Sequence, residues 1–383
     1  MALHFSEQEF ARRRQALEAR MKASGLDGML LFRQESMYWL SGYDTFGYVF
    51  FQCLVVTADG DMKLITRAPD LRQAQNTSNI ADIRVWVDKH GSTPHDDLRE
   101  LLDEMGLKQK RLGVEYEAYG LTGRSAMRLN TALDGYARLV DMSELISELR
   151  LVKSAEEIVY ARKAAELADK AWDAAVEMAH AGADEGHILA AMQGEIFKGG
   201  GDYPGNEFII GSGTDALLCR YFSGRKMLAE IDQLTLEWAG AYRHYHAAMM
   251  RTIPIGQPRS EHIAMHQACV DSLNACEEAL KPGLSVGGVF DAHAKMMDQH
   301  GFKHARMNAC GYSMGTTFAP NWMDWPMFYS GNPIELTEGM IYFMHMILMD
   351  SDTGTAMTLG ESYLITADGN ERLGRSSLDL VLG

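Results

Sequence analysis

LTLEWAGAYRHYHAAMMRT, residues 234–252, decides how the rest of the chain is read. Leu234 to Tyr242 and Tyr245 to Thr252 form two largely apolar runs around a short polar break, which is the pattern of a strand, a tight bend and a second strand. Hairpins of this shape can carry a metal site, with acidic side chains aimed inward from each arm. Here the second arm offers Ala247, Ala248, Met249 and Met250, none of which holds a hard cation. Glu237 stands in the first arm between Leu236 and Trp238. A carboxylate in so apolar a strand must be paired or put to use, because burial raises its pKa and costs free energy.

The chain around this hairpin has 383 residues, which is long for a single core, so two domains are expected. Hydrophobic residues make up 46% and charged residues 23%, an ordinary globular balance. The net charge of −16 disfavours nucleic acid and anionic membranes, since both attract positive surfaces. The first residues, MALHFSEQEFARRRQAL, lack an apolar h-region and a small-residue cleavage site. The five cysteines, Cys53, Cys219, Cys269, Cys276 and Cys310, are scattered and odd in number, so a reducing cytoplasm is the expected location.

Ser6 and Glu9 form a capping box for a helix from Glu7 to about Ala23. GMLLF reads as a buried strand, YVFFQCLVVTADGDMKLIT as a hairpin, and IRVWV, RLGVEYE and ARLVD as further strands with helices between them. That alternation predicts a smaller α/β domain over residues 1–148. One helical region is expected from Met142 to about His180, with a second capping box at Ser154 and Glu157. Residues 149–383 combine long helices (about 184–198, 259–280 and 286–300) with paired strands at 207–211, 234–255, 340–349 and 357–366, an α+β pattern.

Five stretches in order resemble the pita-bread fold family, which includes methionine aminopeptidase, prolidase, aminopeptidase P and creatinase. They are ELRLVKSAEEIVYARKAAELAD, GAYRHYHAAMMRTIPIG, CGYSMG, LTEGMIYFMHMI and TLGESYLITADG. The N-terminal half resembles the smaller domain of the creatinase, prolidase and aminopeptidase P branch. Peptidases of the family hold two divalent cations with two Asp, one His and two Glu. Carried over, the first Asp place falls on Trp238, or on Glu237 if the shortened bend shifts the register. The others fall on Ala248, Tyr312, His345 and Glu361. This set lacks the carboxylates that two bridged cations need, so no metal and no cofactor are expected.

Two branches of the fold work without metal, creatinase on a guanidino compound and ectoine hydrolase on a cyclic amidine. The sequence is more similar to the latter in EWAG, the Tyr245–His246 pair, Tyr312, GGDYP and WLSGYDTFGYVFFQC. It departs from both at Cys219, where they carry a His. The resemblance implies a hydrolase of a non-peptide C–N bond in a small zwitterionic or cationic compound, working as a homodimer. The alternatives are a creatinase-like amidinohydrolase, an Xaa-Pro peptidase with one cation on Glu237, His345 and Glu361, and a non-catalytic binder.

The candidate catalytic residues are Glu237, as nucleophile or general base; His345 or His246, to move a proton; Tyr312, to stabilise an oxyanion; and Cys219, a thiol whose pKa Arg220 would lower. The candidate substrate contacts are Glu361 and Arg251, with Tyr245 beside His246. APNWMDWPMFYSG adds Trp322, Asp324 and Trp325 as an aromatic and acidic cage for a cationic group.

Overall fold

The computed structural model describes residues 3–91, 93–220 and 224–383. The chain divides into two compact units, Met1–Arg150 and Leu151–Gly383. Among the described residues, no helix is long and apolar enough to cross a membrane.

The first unit is built on strands β1 (Gly28–Leu31), β2 (Cys53–Thr57), β3 (Met62–Arg67), β4 (Asp82–Trp86), β5 (Arg111–Val114) and β6 (Arg138–Asp141), in the sheet order β4-β3-β2-β1-β5-β6. β1 and β2 are buried along their whole length, which is why each reads as an uninterrupted apolar run. The helices are α1 (Glu7–Ala23), α2 (Gln34–Ser41), α3 (Ala68–Thr77), α4 (Pro94–Glu104) and α5 (Gly123–Leu133). α1 begins as its capping signal requires, with the Ser6 hydroxyl accepting from the Glu9 amide at 3.1 Å.

The single helix expected from Met142 to His180 is instead two, α6 (Leu145–Leu151) and α7 (Ala155–Met178). Between them, Val152 bridges to Met340 and the Lys153 amide donates to Gly339. Ser154 then caps α7, and a cap residue must itself lie outside the helix that it starts. Three further helices follow, α8 (Glu185–Lys198), α9 (Ser260–Ala279) and α10 (Val286–Gln299).

The second unit holds β7 (Ile209–Ser212), β8 (Asp232–Tyr242), β9 (Tyr245–Ile255), β10 (Gly311–Ser313), β11 (Asp324–Met327), β12 (Ile341–Asp350), β13 (Thr355–Thr366) and β14 (Gly369–Arg372). They form one antiparallel sheet in the order β11-β10-β12-β13-β9-β8-β7, with β14 paired to β13. α7 packs on β8 and β9, and α9 on β12 and β13, so helices cover one face. The close approach of α7 requires Gly240, because a Cβ there would lie 1.9 Å from the Ala164 carbonyl oxygen. Trp238 belongs to the same helix-covered face. Its indole donates to the Ala168 carbonyl at 2.9 Å and stacks on Trp172.

The 234–252 stretch is the β8–β9 hairpin. Tyr242 pairs with Tyr245, and Arg243 and His244 turn the chain with φ of 52° and 62°. Two left-handed residues match the twist of the strands but usually require Asn or Gly. Here the His244 ring stacks on Phe318 at 4.1 Å, and its amide donates to Asp202 at 3.1 Å.

Candidate active site

The face of the second sheet opposite the helices carries the site. Cross-strand partners point to one side of a sheet. Glu237 pairs with Met250, Met250 with Gly360, and Gly360 with His345, so these residues form one row across β8, β9, β13 and β12. Ala239 and Ala248 lie opposite each other one step along, and Tyr312 pairs with Phe343 on the same side. Parity therefore settles the open register. Glu237, not Trp238, shares a face with Ala248.

The sheet curls so that Tyr312 of β10 reaches Glu237 of β8, its hydroxyl donating to Glu237 Oε1 at 3.3 Å. Trp322, fully buried, donates its indole N–H to the same phenol oxygen at 2.9 Å. The Glu237 side chain is half-buried, touched by solvent yet enclosed by protein. Burial pushes it up to about 7, against the smaller opposing effects of Tyr312 and the Arg220 charge. Tyr312 is raised well above an ordinary phenol, first by burial and then by Glu237, and so remains a hydrogen-bond donor at neutral pH.

His345 is held neutral. Burial is the main cause, taking it down to about 4, so it is no reservoir for a proton at neutral pH, in contrast to the proton-transfer role expected from an ordinary imidazole. Its Nδ1 is buried without a hydrogen-bond partner among the described residues. Cys219 follows the 3-10 turn Gly213–Leu217 and packs against the cluster containing Tyr312. Its thiol is raised, by burial and then by Glu237, which outweighs the Arg220 effect expected from sequence. A protonated thiol at neutral pH is a poor nucleophile. Arg220 itself is exposed, and its charge acts on Glu237, Cys219, Tyr312 and His345 together. The sequence reading gave it no role beyond Cys219.

Residues 160–367 match Metallopeptidase family M24, and residues 13–152 match the Creatinase/Prolidase N-terminal domain. The chain belongs to metallopeptidase family M24. It is 26% identical to the ectoine hydrolase of Halomonas elongata over 392 residues, covering 97% of each chain. It is 22% identical to an Xaa-Pro dipeptidase of Pyrococcus horikoshii, covering 94% of this chain and 96% of that protein. The crystal structure of a prolidase from Thermococcus sibiricus matches with a TM-score of 0.87 at 18% identity, over 99% of this chain and 100% of that one, and shares the pita-bread fold.

The metal centre that the M24 name implies does not fit this donor set. Ala248 and Gly360 offer no ligand atom. The Phe343 ring fills the space above Gly360, with two of its carbons 2.7 and 2.8 Å from where a Cβ would sit. Glu237 Oε1 is already engaged by Tyr312. Among the described residues no group of three or more His, Cys, Asp or Glu is placed to hold a metal ion. The last Glu also lies on the wrong face. Glu361 pairs with Met344 and Arg251 with Leu359, on the helix side of the sheet.

Glu361 and Arg251 are consequently not substrate contacts. They form a buried ion pair, and Arg251 also donates to the Met250 and Gly360 carbonyls, each at 2.9 Å. Tyr245 faces the helices too, its hydroxyl donating to Glu157 at 2.7 Å. His246 is on the site face, but both ring nitrogens are occupied. Nε2 accepts from the Gly205 amide at 2.9 Å and Nδ1 meets the Thr317 hydroxyl at 3.0 Å. Burial lowers it to about 3, so at neutral pH the ring stays neutral and does not take up a second proton.

The aromatic cage is not formed either. Trp322 is buried with its N–H on Tyr312, whereas Trp325 packs against a separate cluster around Met344 and Phe328. Asp324 Oδ2 and Lys153 Nζ both lie against Gly315, 3.2 and 3.5 Å from where a Cβ there would sit.

Proposed function

We propose that this protein is a hydrolase that opens a non-peptide C–N bond in a small zwitterionic compound, without a metal, and that a cyclic amidine of the ectoine type is the substrate class. The observation that supports it best is Glu237. It is a carboxyl enclosed by protein and pushed up to about 7 by burial, hydrogen-bonded by a phenol, on a sheet face where the other carboxylate places are Ala248 and His345. A carboxyl with its pKa near the working pH exchanges protons efficiently.

In this reading Glu237 either adds to the amidine carbon or takes a proton from the water that does so. If it adds, one C–N bond breaks as its nitrogen takes up a proton. Water then attacks the same carbon, releasing the amide product and the carboxylate. Tyr312 donates to the oxygen on which charge changes. His345, neutral, accepts or donates a hydrogen bond to the substrate nitrogen. The kinship with an ectoine hydrolase at 26% identity favours this over peptide hydrolysis, which in the family relies on carboxylates that are missing here.

Arg220 supplies the complementary charge for a substrate carboxylate. Arg220→Gln is expected to raise KM about 10- to 100-fold for substrates bearing a carboxylate, the value of a charge-assisted hydrogen bond. The KM for an analogue without the carboxylate should change little, and an equal rise in KM for both substrates would contradict the assignment.

The function is tested by incubating the protein with cyclic amidines, guanidino acids and Xaa-Pro dipeptides and following product formation. Ring opening of an amidine is the expected result. Turnover of the dipeptides alone overturns the proposal.

A further inference from the structure

Trp322 and His246 leave the list of substrate and proton-transfer groups, yet their bonds converge on Glu237. An indole nitrogen can only donate, and a phenol has one hydrogen. The Tyr312 oxygen accepts from Trp322 at 2.9 Å, and its other polar neighbour among the described residues is Glu237 at 3.3 Å. The phenol hydrogen is therefore directed at Glu237 Oε1.

Trp322 is in turn fixed at both backbone groups. Its amide donates to Asn206 Oδ1 at 3.1 Å, and its carbonyl accepts from the Thr317 hydroxyl at 3.4 Å. Because His246 Nε2 accepts the Gly205 amide hydrogen, the neutral ring carries its own hydrogen on Nδ1, which donates to Thr317 at 3.0 Å. His246 thus ties residues 203–208 to residues 316–322.

We propose that Trp322, anchored by His246 through Thr317, is a positioning residue that fixes Tyr312 as a donor to Glu237 Oε1 and leaves Oε2 as the reacting oxygen. The proposal rests on the reading of Glu237 as the reacting group. Without the indole, the phenol gains a free lone pair, and protonated Glu237 can donate to it instead. The neutral acid then gains a bond that the wild-type arrangement denies it. The other groups electrostatically linked to Glu237, namely Cys219 and Arg220 after the 3-10 turn, are untouched by that change, as is His345 on the same face of β12.

The test needs no substrate. Glu237 is titrated in the full chain by carboxyl carbon NMR, with Glu237→Gln identifying its signal. Trp322→Phe is expected to raise the midpoint by about one unit, a tenfold change in proton affinity. Thr317→Val should move it in the same direction by less. His246→Asn, which keeps a donor near the Nδ1 position, should titrate close to wild type, whereas His246→Leu should follow Thr317→Val. If Trp322→Phe or His246→Leu fails to fold, Thr317→Val decides. Folded Trp322→Phe and Thr317→Val proteins that both titrate at the wild-type midpoint overturn the proposal. The underlying reading fails separately, if Glu237→Gln retains turnover.

Discussion

Glu237→Gln is expected to lower kcat by about 10²- to 10⁴-fold with KM nearly unchanged, the range for loss of one positioned acid–base group. The amide keeps the shape of the carboxyl and can still accept from Tyr312. Stability should move the other way. The folded-state pKa of Glu237 is about 7, above the roughly 4.5 of an unfolded chain, so the folded protein holds an extra proton between these values. Its stability is fully present below the lower value and falls as pH rises through the upper one. The loss is at most about 3 kcal/mol, and less to the extent that solvent reaches the half-buried carboxyl. Glutamine carries no such penalty, so at pH 8 the variant should melt at or above the wild-type temperature. An inactive, stabilised protein marks a residue kept for chemistry. Quenching wild-type protein during turnover then distinguishes the two roles. A nucleophile leaves added mass on the peptide containing Glu237, and a general base leaves none. Near-normal activity in Glu237→Gln would remove the residue from the mechanism.

Glu361→Ala should give the largest loss of stability, about 3–5 kcal/mol, because it strands the Arg251 guanidinium inside the protein. For a unit of this size that lowers Tm by roughly 10 °C. The pair makes a small net contribution while intact. Burial raises the Glu361 carboxyl despite the Arg251 charge beside it, and its Oε2 has no hydrogen-bond partner among the described residues. A double replacement, Arg251→Met with Glu361→Leu, should therefore recover most of what the single change loses. Thermal unfolding of the three variants checks this. A Glu361→Ala protein as stable as wild type would show that the pair is open to water.

The fold was legible because its signals are local. Capping residues at Ser6 and Ser154 mark where helices begin, and the apolar runs at 234–242 and 245–252 mark the hairpin. Glu237, Tyr312 and His345 each stand at a ligand place in a recognisable stretch, and the structure puts all three on one face. What failed was side. A one-residue difference in strand position moves a side chain through the sheet. Glu361, Arg251 and Tyr245, read as substrate contacts, turn to the helix side once the pairing is known, while His246 beside Tyr245 does not. Arg220 and the Thr317–Trp322 link were invisible for another reason. They act from irregular segments, where no period predicts direction.

Metal dependence tests the central claim most directly. Protein dialysed against chelator until Zn, Mn, Fe and Co reach trace levels should turn over its amidine substrate at the full rate, and adding those ions back should not raise it. Turnover that disappears on stripping and returns with stoichiometric divalent cation would contradict a site built on Glu237 and Tyr312 alone.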